Sequence, residues 1–293
     1  MLEGVPYLGE LFSLAAALVW AVAIILFRQS GRHFQPVALN LFKDVLGLVL
    51  FLLTLLVLGI PLLPEGVSAR DWLFLLGSGV LGIGLADTLF FASLNRLGAG
   101  YTAIVDCVYS PFVVLVAVLF LHEPLRPSLL LALGLVVCAI LLGSEQQAAA
   151  GRDGERTPRW REERDQLWLG VVLGVLSVLL MACGIVLAKP VLERVDPWWA
   201  ATVRLVGGLC LLLPQAALRA NRAGVLQIFR PGPGWWVTVP GALLGTYLAM
   251  IVWICGMKYT FASVASVLNQ TSTLFVLLLA TVFLREALTP RRV

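Results

Sequence analysis

Five ionisable side chains fall inside long apolar stretches of this 293-residue sequence: Lys43, Asp44, Asp87, Asp106 and Arg204. Charge is costly in such surroundings, and where it occurs it usually faces a cavity and meets a solute or an ion. Carboxylates grouped with an ammonium could bind a small polar substrate. A carboxylate kept from water favours its protonated form, so Asp87 or Asp106 could also carry a coupling proton. Lys43 and Arg204 have a plainer alternative, since long stems can snorkel to the surface or pair with an acid merely to be tolerated. A short carboxylate has no such escape. Trp20, in the middle of its own apolar run, could stack on a substrate, although a lone aromatic is more often core.

The elements that must carry these residues follow from composition. The chain is 60% hydrophobic and 13% charged, with a mean hydropathy of +0.94, which excludes a soluble globular domain. Its apolar runs of roughly 20 residues are long enough to cross a bilayer core of about 30 Å. Nine spans are predicted, at 8–28, 36–58, 72–94, 98–121, 128–144, 167–188, 197–218, 235–257 and 261–284. Runs this uniformly apolar exclude alternating barrel strands and require helices. The expectation is an all-α, polytopic membrane protein. Glu3 and Glu10 precede or enter the first run with no basic residue beside them, so it reads as a membrane helix rather than a cleaved signal. Trp72, Trp168, Trp198, Trp199, Trp235 and Trp236 lie near helix ends, where interface anchors sit.

With these spans, Lys43, Asp44, Asp87 and Asp106 all lie about seven or eight residues from one membrane face, roughly 10 Å deep at 1.5 Å per residue. Other chemistry is poorly supported. The net charge of +4 sits mostly in connecting segments and points to no nucleic acid. Cys107, Cys138, Cys183, Cys210 and Cys255 show no C-x-x-C spacing and suit packing. His122-Glu123 lacks the second histidine of H-E-x-x-H, and His33 is the only other one, so no metal or cofactor is expected.

The chain also repeats itself. The pattern F-V-x-L-x-A-x-x-F-L-x-E-x-L-x-P runs from Phe112 to Pro127 and again from Phe275 to Pro290, at an offset of 163. At that offset Asn269 matches Asp106, Trp235 matches Trp72 and Gly245 matches Gly82; at 161, Pro197 matches Pro36, Arg204 matches Lys43 and Gly208 matches Gly47. Two copies are therefore expected, 1–144 and 167–293, joined by a polar linker at 145–166. An odd number of helices per copy inverts the second copy in the membrane. Inverted repeats of this kind build secondary transporters, with substrate held near midplane between the copies. Arg204 and Asn269 then lie at similar depth below the opposite membrane face, giving a cavity asymmetric in charge. After Pro290 the chain stops at Val293, where the counterpart of 128–144 would begin, so nine helices are visible and a tenth is expected to be missing.

Trp20, Pro36, the Phe42-Lys43 pair, the glycine-rich third helix, Ser110-Pro111 and the two F-L-x-E-x-L ends together resemble the drug/metabolite transporter superfamily, in its EamA-like ten-helix type. Lys43 stands where such proteins often carry Arg, and Leu274 replaces the Pro that Pro111 supplies. The resemblance implies a pore from the first four helices of each half, a small organic metabolite such as an amino acid or drug-like compound as substrate, and a place in the bacterial cytoplasmic membrane. It also implies a cytoplasmic N-terminus. Lys and Arg concentrate instead in the segments after the odd-numbered helices, which would put the N-terminus outside.

The expected polar lining is Trp20, Lys43, Asp44, Asp87, Asp106, Arg204 and Asn269, working by alternating access without enzymatic chemistry. Its expected partners are the substrate, membrane lipid and a coupling proton. An intramembrane aspartyl protease would need two carboxylates at one depth, which Asp87 and Asp106 loosely supply. The run Gly84-Leu85-Ala86-Asp87 departs from the usual G-x-G-D setting, and that chemistry leaves the repeat unexplained. No ring of charges recommends a channel, and nothing favours a receptor. Glu123 and Glu286 read as structural. Gly170/Gly174 and Gly241/Gly245 read as close-packing pairs, while Gly77, Gly79, Gly82 and Gly84 fit either a hinge or tight packing.

Overall fold

The computed structural model describes residues 6–124, 134, 158–218 and 222–284. Among these, regular structure is helical throughout, and eight helices are long and apolar enough to cross a bilayer. They are α1 (Leu8–Ser30), α2 (Pro36–Leu58), α3 (Ala69–Leu97), α4 (Ala99–Leu121), α5 (Pro158–Leu192), α6 (Pro197–Leu218), α7 (Trp235–Tyr259) and α8, which runs as Ala262–Asn269 and then Thr271–Leu284. The fifth expected span, 128–144, lies outside the described residues apart from Gly134, as do 145–157 and 285–293. Helix α5 is described from Pro158, so 158–166 is helical where a flexible linker was expected.

Local chemistry sets the ends. Pro36 opens α2, and Gly59 closes it in the left-handed region at φ 68°. Ser68 and Asp71 form a reciprocal capping box at the start of α3. Asp196 Oδ1 accepts from the backbone N–H of Trp198 and Trp199, satisfying the first donors of α6.

The two halves run in opposite directions. Thr260, just past α7, donates to Glu10 near the start of α1, while Ser30 at the end of α1 shares a hydroxyl hydrogen bond with Thr238 near the start of α7. These helices are antiparallel. So are α5 and α3, through Ser93 Oγ to Gly170 O and Arg194 to Asp71. In contrast α2 is parallel to α7, since Phe42 meets Trp235 and Thr54 meets Tyr247. Likewise α6 is parallel to α3, with Trp72 on Trp199 and Gly84 against Leu211. It follows that α5 runs opposite to its equivalent α1, α6 opposite to α2, and α7 opposite to α3. The halves also interleave: α1 packs along α7 and α8, as α5 packs along α3 and α4.

Lipid tails are as apolar as a protein core, so close packing must hold such helices together. Glycine supplies it where α3 crosses α6. A Cβ on Gly79 would come within 1.9 Å of Arg204 O, and one on Gly207 within 2.2 Å of Leu76 O. Of the tryptophans read as interface anchors, Trp168 and Trp236 are exposed, but Trp199 is buried and donates its Nε1–H to Leu62 O. Trp72 stacks edge-on against it at 4.9 Å. Inter-helix contact has claimed this pair. Outward side chains such as Leu56, Val57, Leu119 and Phe120 are exposed, as a surface solvated by lipid requires.

Two features were not legible in the sequence. Helix α3 is wound as a π-helix over Val80–Ala86, and α7 over Leu243–Ala249, at the repeat offset of 163. A π-turn widens the helix and frees carbonyls; Asn40 Nδ2 donates to two of them, Ile83 O at 2.8 Å and Gly84 O at 3.3 Å. Helix α4 breaks at Cys107–Val108 and α8 at Gln270, again at equivalent positions.

Candidate functional site

The π-turns and the helix breaks surround one cavity in the middle of the bundle. Trp20 enters it from α1, Asp87 from α3, Asp106 from α4, Arg204 from α6 and Asn269 from α8. Five of the seven residues expected to line a binding site are thus brought together. Lys43 and Asp44 stand behind this wall. Lys43 is buried and does not snorkel; its Nζ lies 2.6 Å from Asp44 Oδ1 and 2.7 Å from Asp87 Oδ2. Asp87 is the arm of this triad that reaches the cavity.

Charge is divided unequally. Arg204 is 3% exposed, yet its Nε and Nη1 have no hydrogen-bond partner among the described residues. Its guanidinium lies over the Trp253 ring, 5.3 Å from the centroid, a favourable arrangement for a cation. The repeat explains the difference from Lys43. Where Lys43 has Asp44 and Asp87, Arg204 has Leu205 and Met250 at the equivalent positions. The second half kept the cation and lacks both carboxylates.

Tyr109, Phe90, Met181, Met250 and Trp253 also line the cavity, and the sequence reading did not name them. A signal for two of them existed. Phe90 and Trp253 are equivalent at offset 163, as are Asp87 and Met250, Gly82 and Gly245, and Asp106 and Asn269; Trp20 and Met181 are equivalent at 161. Carrying Asp87 and Trp20 across the repeat would have found Met250 and Met181, whereas Phe90 and Trp253 are each other's equivalents and neither was a candidate. Tyr109 lies three residues beyond Asp106, on the far side of the break in α4, and no sequence signal marked it. Its hydroxyl is buried without a partner among the described residues, within electrostatic reach of both Asp106 and Arg204.

The site is therefore a mid-bundle chamber with aromatic and thioether walls and a few polar groups of both signs. That composition suits a small amphiphilic organic molecule. The model of the EamA-like transporter family matches the chain twice, at residues 7–144 and at 168–293. The chain belongs to the EamA-like transporter family. It is a multi-pass integral membrane protein and a transporter of the drug/metabolite type. Protein PecM of Dickeya dadantii (strain 3937) is 26% identical over 94% of this chain and 84% of its own length. The uncharacterized transporter YoaV of Bacillus subtilis (strain 168) is 24% identical over 46% of each chain. A solved crystal structure, 18% identical, superposes with a TM-score of 0.68 over 97% of this chain and 91% of its own, so the fold is shared. In this EamA-like transporter the cavity wall is contributed by both matched segments.

Proposed function

We propose that this protein is a secondary carrier of a small organic metabolite, amino-acid-like or drug-like, which it moves by alternating access through the central cavity. The observation that carries the reading is the two-fold wall: equivalent residues of two oppositely directed halves meet around one chamber. Rocking one half against the other exposes such a chamber to each side in turn. The first half (1–144) and the second (167–293) are the moving units. The π-turns of α3 and α7 lie at the wall and provide the local give. Trp20, Asp87, Asp106, Arg204 and Asn269 contact the solute, Lys43 and Asp44 set the charge of Asp87, and Asp106 carries a coupling proton. The two bacterial relatives and the apolar belt support a place in the bacterial cytoplasmic membrane.

The test is counterflow in proteoliposomes across a panel of labelled aromatic amines, amino acids and neutral analogues. Saturable uptake driven by an unlabelled internal pool supports a carrier. Linear, non-saturating flux, or flux insensitive to the internal pool, sinks it.

A further inference from the structure

The triad behind the wall holds one cation and two anions, and its geometry is unfinished. Lys43 Nζ touches one oxygen of Asp44 and one of Asp87. Asp44 is fully buried, and its Oδ2 has no hydrogen-bond partner among the described residues. A buried carboxylate with an empty oxygen is costly. It is satisfied if Lys43 swings over to hold both of its oxygens. The swing would release Asp87, the only member of the triad at the cavity wall.

The neighbours of Asp87 leave room for a replacement. From α2 come Lys43 and Asp44 themselves. Arg204 from α6 acts on Asp87 electrostatically without forming an ion pair among the described residues. Helix α4 presents Asp106 and Tyr109, while α1, α5 and α7 bring Trp20, Met181, Met250 and Trp253, none of them charged. One ammonium between two carboxylates leaves one negative charge over.

We propose that Asp87 is a binding site for one monovalent cationic group, either the protonated amine of the solute or a proton, with Lys43 as its built-in competitor and Asp44 as the reserve that receives Lys43 when that group arrives. In the first case an ammonium takes the place of Lys43 at Asp87 Oδ2. In the second a proton bonds to that oxygen, and Lys43 keeps all three of its own. This rests on the carrier reading of the cavity and adds the charge of what the cavity accepts.

Equilibrium binding of phenethylammonium and its neutral isostere 2-phenylethanol to the purified full chain tests it, beside infrared spectra of the carboxylic-acid C=O stretch on acidification. The wild type should bind the ammonium at least about tenfold more tightly than the alcohol, the scale of one buried charge contact. Asp44→Asn, which ties Lys43 to Asp87, should weaken the ammonium about tenfold and leave the alcohol within about twofold. The double variant K43M/D44N removes competitor and reserve together, and should restore ammonium binding to the wild-type level or better. A merely structural role for the triad predicts further loss there. If the amine gives no discrimination but acidification produces an acid band that Asp87→Asn abolishes and Asp44→Asn weakens, the cation is a proton. Absence of both signals, or a preference for the ammonium over the alcohol that Asp44→Asn leaves unmoved, overturns the proposal. Intact cation binding with no saturable flux would instead overturn the carrier reading alone.

Discussion

Glu123, at the end of the first F-L-x-E-x-L motif, accepts hydrogen bonds from Ala262 N at 2.9 Å and Ser263 N at 3.1 Å, the first two residues of α8. Ser263 Oγ donates to the same carboxylate at 2.6 Å. A side chain of the first half thus caps a helix of the second, where free N–H groups and the helix dipole favour an anion. Glu123→Ala should lower unfolding stability by ~2 kcal/mol, and Glu123→Gln by less because it keeps one acceptor. Thermal unfolding in detergent measures both, and no loss for Glu123→Gln would show that the charge contributes nothing.

Lys43 and Arg204 are repeat equivalents with opposite expected responses to the same change. Lys43→Met strands two buried carboxylates and should cost about 3–5 kcal/mol. Arg204→Met strands no paired acid, so its stability should stay within about 1 kcal/mol of the wild type while transport falls. The same unfolding assay, run with flux measurements, separates the two.

Glycines three residues apart on α3 should behave differently. Gly79→Ala drives a Cβ into the backbone of α6 at Arg204 and should abolish folded protein. Gly82→Ala places its methyl 3.5 Å from Arg204 Nη2, ordinary contact distance, and projects into the cavity. The folded yield of Gly82→Ala should be near normal and its apparent KM raised.

Asp106→Asn should uncouple rather than inactivate. With no titrating group at that position, uptake driven by a pH gradient should fall about tenfold or more while counterflow persists. Gradient-driven uptake equal to the wild type would remove Asp106 as the proton carrier.

Opposed halves also predict which loops share a face. In a background lacking native cysteines, Glu65→Cys and Arg194→Cys should react with an impermeant maleimide from one side. Arg32→Cys and Arg230→Cys should react from the other. Labelling of 65 and 194 from different sides would contradict the packing of α3 on α5 and α6.

The membrane class, the eight spans that fall on described residues and the duplication were legible because they are one-dimensional signals. Run length against bilayer thickness needs no contacts, and neither does a matched F-L-x-E-x-L at a fixed offset. The ends of the spans shifted where capping chemistry overrode hydropathy, as at Ser68. The π-turns were invisible because winding depends on who accepts the displaced hydrogen bonds, and Asn40 reaches Ile83 and Gly84 from another helix. Trp72 and Trp199 have the same composition signal as exposed Trp168 and Trp236, and only packing separates them.

From the sequence alone came five charges inside the spans and the halves they belong to, because an ion in the middle of an apolar run stands out; Lys189, near a helix end and buried against Met257 O and Thr260 O, was missed. Only the tertiary structure decided their roles: Lys43 and Asp44 withdraw behind Asp87, while Arg204 and Tyr109 are left facing Asp106 and Asn269 with unfilled hydrogen-bonding capacity. Depth along a helix can be counted in residues, but whether a charge meets a partner depends on the angle at which neighbouring helices turn toward it.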